Sequence, residues 1–328
     1  MKAAVVGGGS WGSAFALYLG RQGFPTRLWI READIFEAAC LTRENPVFLP
    51  GYKFPLDVSF HHVLDEALED ADIVFIAVPS VFCRRVYAQI GPRLRPGQAI
   101  ISLTKGIEKK TLMRMSEIMA EVFPGHGLGV LSGPSFSKEV AEGHPTGLVV
   151  ASAEYELSRR LQNLLSGLSL RVYTTRDVVG VELSGALKNV IAIAAGISDA
   201  LNFGHNSRAS LMTRGLAEIT RLGLKLGAQR KTFSGLAGIG DLVLTCTGHL
   251  SRNRQVGLEI GHGRPLSEIV AEMRMVAEGI PTTLSAHQLA VREGIEMPII
   301  DQVFQILYRK KDPRKALIDL MSRGLKDE

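Results

Sequence analysis

Short apolar, β-branched runs alternate with amphipathic or alanine-rich stretches through the first half of the chain. The runs Ala3–Val6, Arg27–Ile30, Ile73–Val78, Ala99–Leu103, Gly129–Leu131 and Gly147–Ala151 are predicted strands, with Leu170–Thr174 as the last. Helical patterns fall between them at Ser13–Arg21, Leu64–Glu69 and Thr111–Val122. Continuously apolar strands separated by helices predict a parallel sheet buried on both faces. Beyond Arg176 the pattern changes. Val178–Ala200 is apolar nearly all the way round, as a buried helix is. Helical periodicity then recurs at Arg208–Leu226, Gln255–Ile260, Leu266–Ala277, Thr283–Arg292 and Asp301–Leu307, with no further strong strand signal. The expected fold class is α/β: a parallel-sheet domain over residues 1–177, then an all-α domain over 178–328.

Composition narrows this picture without choosing a function. The 328 residues are 46% apolar and 22% charged, ordinary globular usage that excludes a disordered or collagen-like chain. Cys40, Cys83 and Cys246 are far apart and form no CxxC or Cys/His spacing. That argues against a disulfide framework or a zinc site, and for a reducing compartment. A net charge of +5 and a pI near 9.1 raise the question of nucleic acid. The basic residues are dispersed, however, and the densest group, Arg309, Lys310 and Lys311 with Arg314 and Lys315, reads as a solvated helix end. Anionic small molecules explain the charge at least as well as a polymer. No uninterrupted apolar run approaches the ~18 residues needed to span a bilayer. The N-terminus lacks a signal-peptide pattern, and the closing Leu-Lys-Asp-Glu has the wrong order for a retention tail. A cytoplasmic protein without stable membrane insertion or nucleic-acid partner is expected.

Gly7-Gly8-Gly9-Ser10-Trp11-Gly12 directly follows the first predicted strand and opens a helix. Gly7 suits a tight turn, Gly9 the close approach of backbone to a pyrophosphate, and Gly12 close helix–strand packing. The helix start, with Ser10 and Trp11 in it, offers N–H groups and a partial positive charge to phosphates. A bare G-x-G-x-x-G is weak, and a glycine turn that merely permits packing is the competing reading. Here the strand before and the helix after supply the context the motif requires, so a dinucleotide-binding, Rossmann-like domain is expected. At the end of the second strand Arg31 suits a 2′-phosphate and Glu32 a ribose hydroxyl, which favours NADP and leaves NAD open.

The other candidates are ambiguous one by one. Lys188 and Asn189 lie inside the apolar helix, where a cation is costly unless paired or functional. Ser184 and Lys188, four apart, share one helical face. Burial lowers a lysine pKa, which suits a general acid/base, although a lysine snorkelling to the surface is the ordinary alternative. Lys105 follows a strand at the carboxyl edge of the sheet, where ligands of open α/β sheets bind, or is a solvated loop charge. Asp241, after Gly238-Ile239-Gly240, reads as a helix N-cap; if the helix starts there, Asp241 and Thr245 share a face and could hold Lys188 and a substrate hydroxyl. Ser251, Arg252 and Asn253 bring a hydroxyl, a guanidinium and a carboxamide to a helix start; this fits a phosphate, or is a cap with a surface arginine. Gly133-Pro134-Ser135-Phe136-Ser137 is a turn at the same sheet edge. Cys246 reads as a packed thiol, and of the histidines only His205, in a glycine-flanked turn, stands out.

With these motifs in order, the chain resembles bacterial-type NAD(P)-dependent glycerol-3-phosphate dehydrogenases over essentially its whole length. The resemblance rests on GGGSWG at 7–12, NPVFLPG at 45–51, AVPS at 77–80, SLTKGIE at 102–108 and SGPSFSKE at 132–139. It continues through ELSGALKNVIAIAAGISD at 182–199, GIGDLVLTC at 238–246, SRNR at 251–254 and VAEG at 276–279. It implies reversible reduction of dihydroxyacetone phosphate to sn-glycerol 3-phosphate, supplying glycerophospholipid synthesis, by a homodimer. It implies that Lys188 is the catalytic lysine, protonating the ketone oxygen, and that Lys105 contacts substrate and cofactor. It places Asn189, Asp241, Thr245, Gly133 and Ser135 at the substrate, and the phosphate group at Ser251, Arg252 and Asn253. Gly7, Gly9, Ser10, Trp11, Gly12, Arg31, Ser137, Arg252, Val276 and Glu278 would meet the cofactor, with Phe48 covering its adenine side. One departure stands out: Arg208 and Ser210 occupy positions that commonly read Lys and Ala. The competing readings are a β-hydroxyacid dehydrogenase, which would lack the phosphate constellation, and a dinucleotide-sensing protein, which would need no buried lysine.

Overall fold

A computed structural model describes residues 1–325. The strands run in chain order as β1 (Ala3–Val6), β2 (Thr26–Trp29), β3 (Glu44–Asn45), β4 (Leu49–Lys53) and β5 (Val58–His61). They continue as β6 (Ile73–Ile76), β7 (Ala99–Ser102), β8 (Gly127–Ser132), β9 (Thr146–Ala151) and β10 (Leu170–Thr175). The helices between them are α1 (Ser10–Arg21), α2 (Ala33–Thr42), α3 (Leu64–Leu68), α4 (Ser80–Ile90), α5 (Met115–Val122), α6 (Ser137–Glu142) and α7 (Tyr155–Leu165). Then come α8 (Val178–Ala200), α9 (Gly204–Lys225), α10 (Arg230–Phe233), α11 (Asp241–Thr247) and α12 (Arg252–Gly261). The last four are α13 (Leu266–Glu272), α14 (Gly279–Glu293), α15 (Pro298–Arg309) and α16 (Pro313–Met321).

The chain divides into two compact units, 1–105 with 113–182 and 106–112 with 183–328. The first is a sheet in the order β10-β9-β8-β7-β6-β1-β2-β5, covered by helices. Alternate residues of the same strands enter different cores. Val5, Ile73, Phe75 and Ile101 lie in one, and Val6, Val74, Ile76 and Ile100 in the other. Period-two side-chain alternation thus buries both faces, which is why these strands are apolar throughout.

Three features depart from the expected elements. The sheet is not wholly parallel: β9 runs antiparallel to β8, with Val130 opposite Ala151. An apolar run carries no mark of strand direction. Edge strand β5 carries a weak signal, because over its four residues only Val58 and Phe60 are buried. The helix foreseen over 111–122 begins later, at Met115, since Leu112 takes a left-handed φ of 62° that helical backbone cannot contain.

The second unit, as described, is helical. Helix α8 starts where the Asp177 carboxylate accepts the Gly180 N–H at 2.9 Å, a side-chain cap at its first turn. By length and a mean hydropathy of 1.6 it would suffice to cross a membrane, although Glu182 and Lys188 interrupt its apolar run. In this protein 89% of that window is buried, so α8 is core. At its head Glu182 is buried and satisfied by Arg114 (2.6 Å) and the Ser116 N–H (2.7 Å).

Candidate functional site

In the first unit four adjacent parallel strands, β1, β6, β7 and β8, deliver their carboxyl ends to one edge of the sheet. The glycine loop leaves β1 with Gly7 at φ +123°, and a Cβ there would stand 2.6 Å from the Ala77 carbonyl oxygen. A Cβ on Gly12 would lie 1.9 Å from the Gly7 oxygen, whereas one on Gly9 meets nothing within 4 Å. Gly7 and Gly12 are therefore required by close backbone packing, and Gly9 leaves space above the loop. Helix α1 opens at Ser10 and Trp11 behind an extended Gly9, with no side chain capping its N–H groups. Those N–H groups, the turn and the space fit a pyrophosphate.

Asn45 is the residue that sequence reasoning missed. Fully buried, it donates to the Gly8 carbonyl at 2.7 Å and to Ser13 Oγ at 2.9 Å, while its own oxygen accepts the Phe48 N–H at 2.9 Å. It pins the glycine loop to the segment carrying Phe48, which packs half-buried against the core. Its only sequence signal was its place at the head of NPVFLPG. Arg31 and Glu32 pair with each other, Arg31 Nε donating to Glu32 at 2.9 Å, and Arg31 also lies 5.7 Å from the Phe82 ring centroid.

At the same edge Lys105 Nζ donates to the Gly133 carbonyl at 2.8 Å, and Ser135 Oγ donates to that oxygen at 3.0 Å. Lys105, Gly133 and Ser135 are thus gathered on one point, with Ser137 opening α6 two residues on.

The second unit gathers its candidates on three helices. Lys188 on α8 is 6% exposed, and Asp241 on α11 is 1% exposed. The ammonium donates to the Asp241 carboxylate and, at 2.6 Å, to Thr245 Oγ1, which itself donates to the Asp241 carbonyl at 2.7 Å. A buried charge needs compensation of this kind, so Lys188 does not snorkel. The N-cap reading of Asp241 fails: a π-helical turn over Leu236–Gly240 runs directly into α11, Gly240 holds the cap position, and the Asp241 side chain turns to the lysine. The glycines serve close packing there, since a Cβ on Gly238 would stand 2.1 Å from the Phe233 oxygen. Thr245 does share the Asp241 face, one turn on.

Beside Lys188, a chain of amides joins three elements. Asn189 Oδ1 accepts from Asn253 Nδ2 at 2.8 Å, and Asn253 Oδ1 accepts the Gly279 N–H at 2.9 Å. Ser251 caps α12 by accepting the Arg254 N–H at 3.2 Å. Arg252 is exposed and reaches the Val276 carbonyl at 3.3 Å. Desolvation by neighbouring groups lowers its pKa and the Glu278 charge opposes this; a guanidinium stays charged in either case. Cys246 is fully buried and burial pushes its thiol up to about 12, as a packed and unreactive group. His205 touches Arg208 at 2.7 Å, and Arg208 and Arg254 both bind Asp199, at 3.3 Å and 2.6 Å.

A strand–glycine-loop–helix unit, joined in one chain to a helical unit that buries a lysine–aspartate pair, defines a dinucleotide-dependent oxidoreductase. Comparison with known proteins makes this particular. Residues 2–158 match the N-terminal part, and 177–318 the C-terminal part, of the family described as NAD-dependent glycerol-3-phosphate dehydrogenase. The chain belongs to that family. It is 51% identical to glycerol-3-phosphate dehydrogenase (NAD(P)+) of Geobacter sulfurreducens, over all of this chain and 98% of that protein. It is 50% identical to the enzyme of the same name from Koribacter versatilis, over 98% of this chain and 97% of that one. Among solved structures it resembles glycerol-3-phosphate dehydrogenase from Coxiella burnetii, at 40% identity and TM-score 0.95, covering 98% of this chain and 99% of that one. The protein is accordingly an oxidoreductase of the NAD(P)-dependent glycerol-3-phosphate dehydrogenase class.

Proposed function

We propose that the protein catalyses the reversible reduction of dihydroxyacetone phosphate to sn-glycerol 3-phosphate, with Lys188 moving the proton. The observation that carries this is the buried Lys188, fixed by Asp241 and Thr245. The dinucleotide, when bound, supplies the hydride; the chain's residues do the rest. Gly7, Gly9, Gly12 and the α1 start with Ser10 and Trp11 hold its phosphates, and Arg31 favours a 2′-phosphate, hence NADP over NAD. By family resemblance Phe48, Lys105, Ser137, Arg252, Val276 and Glu278 complete its binding.

On the substrate, the α12 start with Ser251, Arg252 and Asn253 takes the phosphate group. Lys188 then donates a proton from Nζ to the ketone oxygen, and in the oxidative direction its amine accepts the hydroxyl proton. Asp241 and Thr245 aim Nζ, and Asn189, whose side chain is held by Asn253, meets the substrate beside it. Lys105, Gly133 and Ser135 are the first unit's groups for substrate. The same resemblance makes the product a precursor of glycerophospholipids, the setting the cytoplasm, and the assembly a homodimer. A light-scattering mass of twice 35.6 kDa supports the dimer and a mass of 35.6 kDa refutes it.

The test is to follow nicotinamide absorbance with NADPH and then NADH, offering dihydroxyacetone phosphate or unphosphorylated dihydroxyacetone. Oxidation is expected with the phosphorylated ketone only, faster at limiting NADPH than at limiting NADH. No oxidation with dihydroxyacetone phosphate and either cofactor refutes the reading.

A further inference from the structure

Several helical hydroxyls of this protein bond back to their own helix. Thr220 Oγ1 donates to the Leu216 carbonyl at 2.7 Å, Thr245 to Asp241 at 2.7 Å, Thr247 to Val243 at 2.8 Å and Thr283 to Gly279 at 2.6 Å. Ser184 on α8 does not. It is 2% exposed, and its Oγ has no hydrogen-bond partner among the described residues. A buried hydroxyl left without a partner is costly, and such a group calls for a function.

Its position suggests one. Ser184 stands one turn before Lys188 on the same face of α8. Helical side chains lean toward the N-terminus, so the lysine side chain extends over the turn that carries Ser184. The ammonium is held by Asp241 and Thr245, and Thr245 commits its one proton to the Asp241 carbonyl. Ser198 is a second such hydroxyl on α8, but it lies ten residues beyond Lys188, roughly 15 Å along the axis.

Dihydroxyacetone phosphate has three polar parts. The phosphate is assigned to α12 and the ketone to Lys188. The terminal C1 hydroxyl, one carbon from the ketone, needs a further partner, because Asp241 and Thr245 are engaged with Lys188. We propose that Ser184 is a substrate-binding residue whose hydroxyl hydrogen-bonds the C1 hydroxyl of the substrate, selecting a 1-hydroxy ketone beside the Lys188 site. This rests on the function proposed above.

The test pairs Ser184→Ala with a substrate lacking the same bond, the analogue of dihydroxyacetone phosphate with hydrogen in place of the C1 hydroxyl. In Ser184→Ala, kcat/KM for dihydroxyacetone phosphate should fall about tenfold, the scale of one hydrogen bond, while kcat/KM for the analogue stays unchanged. Ser184→Cys, close in volume and a weak hydrogen-bonding group, should lose the same selectivity. The thermal midpoint of the ligand-free variants should not fall, because only an unsatisfied group is removed. An equal loss on both substrates, or none on either, overturns the proposal while leaving the function standing. A wild-type protein inactive on dihydroxyacetone phosphate refutes the function itself, and this assignment with it.

Discussion

Lys188 shows how burial turns an ambiguous residue into a specific one. An ammonium at 6% exposure cannot be left uncompensated, and Asp241 and Thr245 supply its partners. The sequence showed Lys188 inside an apolar helix, and Asp241 and Thr245 at one-turn spacing. It allowed Asp241 and Thr245 to hold Lys188, but whether residues more than fifty positions apart meet is decided only by the folded chain. Asn45 was illegible for the same reason. At Ser251–Asn253 the helix start could be read in advance, and the cap from Ser251 to the Arg254 N–H is there. Its use was not legible, since a cap and a phosphate site share the same residues. Arg252→Ala separates them. Losing one charge-assisted contact to phosphate is worth ~1.5–3 kcal/mol. KM for dihydroxyacetone phosphate should therefore rise about 10- to 100-fold with little change in kcat. An unchanged KM would show that Arg252 is only a surface residue beside a cap.

The elements followed from periodicity wherever they were long or continuously apolar. Strands β1, β6 and β7, and helix α8, declared themselves. The antiparallel sense of β9 and the short edge strand β5 did not, since strand direction and edge pairing are set by tertiary neighbours. Helix α15 had a similar hidden determinant. Pro298 at its first position has no N–H to satisfy, and the next two, Ile299 and Ile300, donate to the buried Glu218 carboxylate on α9 at 2.8 and 3.2 Å. Burial outweighs these bonds and pushes the Glu218 carboxyl up to about 7 from 4.5. A carboxyl whose folded pKa is raised binds its proton more tightly when folded. Its contribution to stability is complete below the unfolded value near 4.5 and is lost as pH rises through about 7. That window corresponds to on the order of 3 kcal/mol. Unfolding measured across it should show wild type losing stability relative to Glu218→Gln as pH rises. Parallel pH profiles for the two proteins would contradict a titrating carboxyl at the head of α15.

At the scale of the whole molecule, two compact units divide the chemistry. The nucleotide fold was the most legible part, because its glycine loop, strand and helix are contiguous in sequence. The helical unit was legible as helical from its pattern and as a site only through its family motifs, since its chemistry is assembled from α8, α11, α12 and the start of α14. The basic excess takes a local meaning here. Arg31 pairs with Glu32, Lys105 with the Gly133 carbonyl, and Lys188 with Asp241, so each cation has a defined neighbour. The central claim is that Lys188 moves the proton, and its most direct test is turnover of dihydroxyacetone phosphate by Lys188→Ala. Removing the lysine strands Asp241 and should lower stability, so binding of NADPH to the variant, followed by fluorescence, verifies that the nucleotide unit is intact. With that binding retained, kcat should fall ~10²–10⁴-fold, the range of a lost general acid. A kcat within about twofold of wild type, far short of that range, would contradict the account.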